Sequence, residues 1–113
     1  MKAILAIDQG TTGTTVAVMN TRGVLLGSVN YAFPQLYPKP GWVEHDPEAI
    51  WASVLKGIRA VFRKGLCKPV DVASIGITNQ RETSLLWERR SGKPLGNAIV
   101  WQCRRTTSFC EGL

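Results

Sequence analysis

Apolar residues open the chain in three short bursts. Ala3, Ile4, Leu5, Ala6 and Ile7 run without a break, as in a central strand covered on both faces. Residues 16–19 form a second apolar run. After the turn residues Asn20 to Gly23, positions 24–33 alternate loosely between apolar and polar. Tight turns joining three short strands predict an antiparallel meander. Four prolines then exclude regular structure from most of the next segment: Pro34, Pro38, Pro40 and Pro47. From Ile50 the period changes. Ile50, Trp51, Val54, Leu55, Ile58, Val61 and Phe62 recur every three or four positions, which predicts a helix of about four to five turns with Trp51 in its core stripe. Asp46 is placed to cap it, Pro47 suits its first position, and Gly65 closes it.

Beyond the helix, residues 72–77 read as a second buried-type strand. Residues 84–87 and 98–101 read as further strands, with Arg89 to Pro94 turning between them, and a last helix starts near Arg104. The order is β-β-β-α-β with more strands after it, an α/β chain. It ends inside the last helix without a convincing exit signal, so the 113 residues are expected to be the first part of a longer protein.

Length and composition narrow the class. At 113 residues there is room for one domain, and 44% hydrophobic with 19% charged residues points to a soluble globular chain. The opening apolar run is too short for a secretory leader, and no stretch reaches the length of a membrane span, so a cytoplasmic chain is expected. Cys67, Cys103 and Cys110 have no CxxC spacing and are expected as reduced thiols. The net charge of +6 raises a nucleic-acid reading. The basic residues are scattered apart from Arg59, Arg63, Lys64 and Lys68 and the pairs at 89–90 and 104–105, and no aromatic-interleaved motif accompanies them. A solvated basic face is favoured over a nucleic-acid surface.

Two polar clusters carry candidate chemistry. The first is "DQGTTGTT", starting at Asp8 where the first apolar run stops. Gly10 and Gly13 allow close backbone approach and positive φ, successive N–H groups form an anion-binding nest, and Thr11, Thr12 and Thr14 add hydroxyl donors. Asp8 would repel a phosphate directly, and makes sense with a magnesium ion held between them through water. No Gly-Lys-Ser/Thr follows, so this is not a Walker A loop, and taken alone the stretch fits a polar turn equally well. The second cluster runs from Thr78 to Thr83 at the carboxyl end of a strand, where ligands of α/β sheets gather. Arg81 and Glu82 offer donors and acceptors suited to a polyhydroxy compound, provided the chain bends enough for them to converge; a solvated surface ion pair is the alternative. Trp101 marks another strand end and could floor a small polyol or edge the core. Trp42 would anchor the proline-rich connection and Trp87 would pack. His45 has no second metal ligand at useful spacing and is expected to be hydrogen-bonded locally near the helix entry.

The segments "DQGTT", "YPKPGWVEHDPEAIW", "GITNQRETSLLWE" and "SGKPLGNAIVWQCRRT" together resemble the N-terminal region of the FGGY carbohydrate kinases. The resemblance runs from about Ala3 to Glu111. It implies the ribonuclease-H-like, actin-like ATPase fold with a mixed sheet. It also implies that residues 1–113 are the N-terminal part of that family's N-terminal domain, the rest of it and the C-terminal nucleotide lobe lying elsewhere. "NQRET" and "NAIVWQCRRT" are similar to the branch of the family that phosphorylates glycerol. ATP and Mg²⁺ are the cofactors so implied. Asp8 would lie near the magnesium–phosphate site, and Gly10, Thr11, Thr12 and Gly13 would hold ATP phosphates. Arg81 and Glu82 would bind glycerol hydroxyls, with Trp101 as a wall beside the carbon chain. The catalytic base, a further substrate tyrosine and the adenine site would lie beyond residue 113, so the piece alone is expected not to turn over. The family's full-length enzymes imply a homo-oligomer, with no nucleic-acid partner and no membrane span. One departure stands out: many members read Ser-Ser-Arg where this chain has Gly13, Thr14 and Thr15, so a cation near the nucleotide is missing. Alternatives are a kinase of this family for another polyol or a ketose, a non-catalytic actin-like nucleotide module, and a basic nucleic-acid binder.

Overall fold

The computed structural model describes residues 1–113, which divide into two units: residues 1–33 with 50–80, and residues 34–49 with 81–113. In the first unit β1 (Ala3–Gln9), β2 (Gly13–Asn20) and β3 (Leu25–Ala32) form the expected meander. β5 (Val72–Asn79) joins β1 in parallel, giving the order β3-β2-β1-β5 and a mixed sheet. Alternation along β1 puts Ala3, Leu5 and Ile7 on the buried face with Val16, Val18 and Val29 of the neighbouring strands. Ile4 and Ala6, on the opposite face, are only half-buried.

Most of α1 (Pro47–Arg63) lies in this unit and supplies Ala60 and Val61 to the core. Its start is as expected: the Glu48 N–H donates to Asp46 Oδ1 at 2.9 Å. It ends in a Schellman motif at Gly65 (φ 71°), with Leu66 N–H on the Val61 carbonyl at 3.1 Å and Gly65 N–H on Phe62 at 2.9 Å. The buried stripe differs from the apolar one read from the sequence. Ser53, Gly57, Ala60 and Val61 are buried, while Ile50, Val54, Leu55, Ile58 and Phe62 are half-buried and Trp51 is 56% exposed. The reason is distance. A Cβ on Gly57 would stand 2.5 Å from Val16 Cγ2, so helix and sheet approach too closely for large side chains at the centre, which flank the contact instead.

A second correction concerns β5. Its apolar run was expected to be buried, but it is the edge of the sheet, and Ile75 and Ile77 are 55% and 73% exposed.

The second unit is built from bridges rather than long strands. β4 (Glu44–His45) pairs antiparallel with β6 (Ala98–Ile99). Single bridges join Leu36 to Glu44, Ser84 to Ile99 and Trp87 to Pro94, so the strand expected over residues 84–87 is absent as such and that over 98–101 shortens to two residues. Few side chains are buried here to sustain a ladder; His45, Ala98 and Val100 are. The expected turn forms after Glu88, whose carboxylate accepts the N–H groups of Arg90 (2.9 Å) and Ser91 (2.6 Å), with Gly92 at φ 72°. Trp87 is exposed, not packed. The last helix, α2 (Thr107–Glu111), begins after a turn at Arg104. No helix is long and apolar enough to cross a membrane.

Gly57→Ala tests the close approach. Intrinsic propensity favours alanine by about 1 kcal/mol in a helix interior. Overpacking against the fully buried Val16 is expected to outweigh it, for a net loss of about 1–2 kcal/mol. A urea midpoint equal to or above that of the wild type would show that the contact yields.

Candidate active site

The glycine-threonine loop closes tightly on itself. Gly10 N–H donates to the Gly13 carbonyl at 2.9 Å, and Gln9 Nε2 donates to the Gly10 carbonyl at 2.8 Å. Neither Gly10 nor Gly13 has positive φ, contrary to the sequence reading. Gly13 is needed for a different reason: a Cβ there would stand 2.8 Å from the Tyr31 carbonyl oxygen, so only glycine lets β2 leave the loop against β3. Thr14 also differs from expectation. It is buried, and Ser53 gives its own proton to the Ile50 carbonyl (2.7 Å), so the Thr14 hydroxyl donates to Ser53 Oγ (2.7 Å) and is not offered to a ligand. Thr15 Oγ1 accepts from Asn30 Nδ2 at 2.8 Å. The exposed hydroxyl of the loop is that of Thr12.

Asp8 is exposed at the end of β1, on the face away from the core. Register sets it between Thr15 of β2 and Thr78 of β5, so three oxygen-bearing side chains share one end of the sheet beside the loop. Thr78 was legible only as a member of the second polar cluster. Nowhere do three or more His, Cys, Asp or Glu side chains converge.

In the second unit the chain bends at Glu82, whose φ of 60° is the only positive value at a non-glycine residue. Such a conformation is strained for a long side chain and concentrates at functional positions. It supplies the bend that Arg81 and Glu82 need, and both are exposed. Ser84 and Ile99 exchange backbone hydrogen bonds at 2.9 and 2.8 Å. The bridge therefore brings the segment just after Glu82 alongside the segment just before Trp101. Trp101 is 53% exposed, in the turn after β6.

The segment bearing Trp101 is tied to the proline-rich connection. Val100 N–H reaches the Val43 carbonyl (3.2 Å) and Arg104 N–H that of Gly41 (2.7 Å). Arg105 pairs with Glu44 Oε2, Asn97 Nδ2 donates to Glu44 Oε1 (3.1 Å), and the guanidinium lies 3.8 Å from the centroid of Trp42, with Lys39 at 4.7 Å. Trp42 thus anchors the connection as expected. The donations from Arg105 and Asn97 hold the Glu44 carboxyl below the usual range against the effect of burial. His45 is fully buried, donates from Nε2 to Gln35 Oε1 at 2.6 Å, and burial keeps its imidazole below the ordinary value.

Residues 3–113 match the N-terminal domain of the FGGY family of carbohydrate kinases. The chain belongs to the FGGY family. It is 51% identical over 112 residues to a glycerol kinase of Caldanaerobacter subterraneus subsp. tengcongensis, covering 99% of this chain and 22% of that protein. It is 54% identical over 110 residues to the glycerol kinase of Bdellovibrio bacteriovorus, covering 97% of this chain and 22% of that one. Among solved structures it matches Plasmodium falciparum glycerol kinase with ADP at a TM-score of 0.87 and 37% identity, covering 99% of this chain and 22% of that one. A ligand-bound xylulose kinase from Lactobacillus acidophilus gives a TM-score of 0.89 at 26% identity, with the same coverage of 99% and 22%. The α/β, actin-like ATPase architecture of the FGGY kinases is therefore that of this chain, which spans about a fifth of the length of the relatives it matches.

Acid should loosen the second unit. The folded pKa values of Glu44 and His45 both lie below their unfolded ones, so the unfolded chain binds protons first and stability falls with pH. The fall begins near His45's unfolded value of 6.5 and continues as the carboxylate range is crossed. Amide protection factors at Val100 and Arg104 are expected to fall between about pH 7 and pH 4, and Glu44→Gln to flatten the lower part of that curve. Factors constant across this range would contradict it.

Proposed function

We propose that this chain supplies the N-terminal part of an enzyme that transfers the γ-phosphoryl group of ATP to a terminal hydroxyl of glycerol, giving sn-glycerol 3-phosphate. The observation that supports the substrate is the Ser84–Ile99 bridge, which brings the segment that follows Arg81 and Glu82 alongside the segment that precedes Trp101. The identity of about half the residues with curated glycerol kinases supports it. A guanidinium with five donors and a carboxylate that only accepts can serve hydroxyls in both of their roles, and an indole face covers the carbons.

In the first unit Gly10, Thr11, Thr12 and Gly13 are the residues for the ATP phosphates. Thr12 offers a hydroxyl, and Gly13 shapes the loop. A lone exposed carboxylate with threonines at its sides does not cage a metal by itself. It suits magnesium that arrives on the nucleotide, keeps several waters and touches one carboxylate, which is the role of Asp8. The ion, when bound, neutralises phosphate charge; the residues hold and orient the phosphates and the acceptor, which is where most of the rate of such transfers originates. Absence of the family's arginine at Thr15 leaves the loop with backbone and hydroxyl donors only.

The deciding experiment measures ADP release by the full-length enzyme with ATP and magnesium, across glycerol, dihydroxyacetone, erythritol, xylulose and no acceptor. Release confined largely to glycerol is expected. Arg81→Ala should lower kcat/KM for glycerol by about ten- to a hundredfold, the cost of a charged hydrogen bond. Release with a ketose instead would keep the loop and sink the glycerol assignment; none with any acceptor would favour a nucleotide-binding module. The 113 residues alone are expected to form no product.

A further inference from the structure

The second unit holds a thiol arrangement that the kinase reading does not use. Arg105 Nε donates to Cys103 Sγ at 3.0 Å, while its Nη2 is engaged by Glu44 and its plane lies over Trp42. The guanidinium is therefore fixed from three sides with one N–H aimed at sulfur. Cys103 is partly accessible, and it lines a cavity of about 320 Å³ together with Arg104, Thr106, Thr107, Cys110 and Glu111. Two of the three cysteines thus share one small cavity. The third, Cys67, is buried in the first unit, where burial and the nearby Asp71 carboxylate push its thiol up.

We propose that Cys103 and Cys110 form a dithiol modification site, in which Cys103 is the nucleophile toward small disulfides and Cys110 resolves the adduct. A thiolate, not a thiol, attacks, and cationic neighbours favour it. Burial raises the Cys103 thiol, but hydrogen bonds from the Arg105 side chain and from the Arg105 and Val43 backbone, with the guanidinium charge, bring it below the ordinary thiol value. Arg104 adds a second positive charge at the cavity and Glu111 a negative one. In the first step the Cys103 thiolate attacks one sulfur of R–S–S–R, that bond breaks, and RS⁻ leaves to take up the proton Cys103 lost. In the second, the Cys110 thiolate attacks the Cys103 sulfur, expels the second RS⁻, which takes the Cys110 proton, and closes the Cys103–Cys110 bond. Two thiols are oxidised and one disulfide is reduced to two RSH.

The test uses the intact protein. With limiting iodoacetamide and peptide mapping, Cys103 is expected to alkylate at least about tenfold faster than Cys67, and faster than Cys110. The pH profile at Cys103 in the wild type is expected to have a midpoint below that of free cysteine. Arg105→Gln should slow Cys103 while leaving Cys110 unchanged; Glu44→Gln, which removes the carboxylate charge but retains an oxygen to accept from Nη2, should leave Cys103 fast and separates activation from loss of fold. Glutathione disulfide should give the Cys103–Cys110 disulfide in the wild type and a stable mixed disulfide on Cys103 in Cys110→Ala. Faster reaction at Cys110, an Arg105-independent rate at Cys103, or a mixed disulfide that persists in the wild type would overturn the proposal.

Discussion

Arg105 ties together three groups of the second unit: the Glu44 carboxylate, the Trp42 ring and the Cys103 sulfur. This part of the chain has two-residue strands, isolated bridges and few buried apolar side chains, so it lacks the ladder and core that would order it by themselves. One guanidinium joins an anion, an aromatic face and a sulfur from three points of the chain. A lysine could not do this, because a point charge has neither the plane for Trp42 nor the fork that reaches Glu44 and Cys103 at once. Burying such a pair confers little stability in net terms, since desolvation offsets attraction. Its contacts connect the segment around Arg105 to the proline-rich connection at Trp42 and Glu44.

The first unit follows the opposite logic. β1 is paired along its whole length on both edges, antiparallel on one and parallel on the other, and its alternation commits one face to the core. Position along that strand then decides chemistry. Asp8 falls just past the last core residue and on the solvent face, so it is displayed, with threonines beside it from both neighbouring strands. Small residues do the rest: Gly57 lets the helix down onto Val16, and Gly13 lets the loop close against Tyr31. The loop's shape therefore rests on packing, not on unusual backbone angles.

Strain appears where the substrate side is proposed. Glu82 is the single non-glycine residue in the left-handed region, and the bridge between Ser84 and Ile99 immediately follows it. An extended segment would point Arg81 and Glu82 to opposite sides, and the bend at Glu82 departs from that alternation.

Local chemistry made much of this readable. The meander, α1 with its Asp46 start and Gly65 stop, and the tight loop after Asp8 all rest on period, caps and turn residues lying within a few positions of each other. Arg81, Glu82 and Trp101 were legible as chemistry from the motifs they sit in, and as a set through the resemblance those motifs carry. What stayed hidden depended on partners far along the chain: the Thr14 hydroxyl answers to Ser53, Gly13 to Tyr31, and Arg105 to Glu44. Periodicity also misled where cover was the issue. It says that a face is apolar but not what lies against it, so Trp51 and β5 were read as buried while the tertiary structure leaves them exposed. The sequence by itself determined the elements and the candidate groups, because those follow from short-range sterics and hydrogen bonding. Only the tertiary structure decided which of those groups are engaged internally and which face solvent, because that follows from strand order and register, which no local pattern encodes.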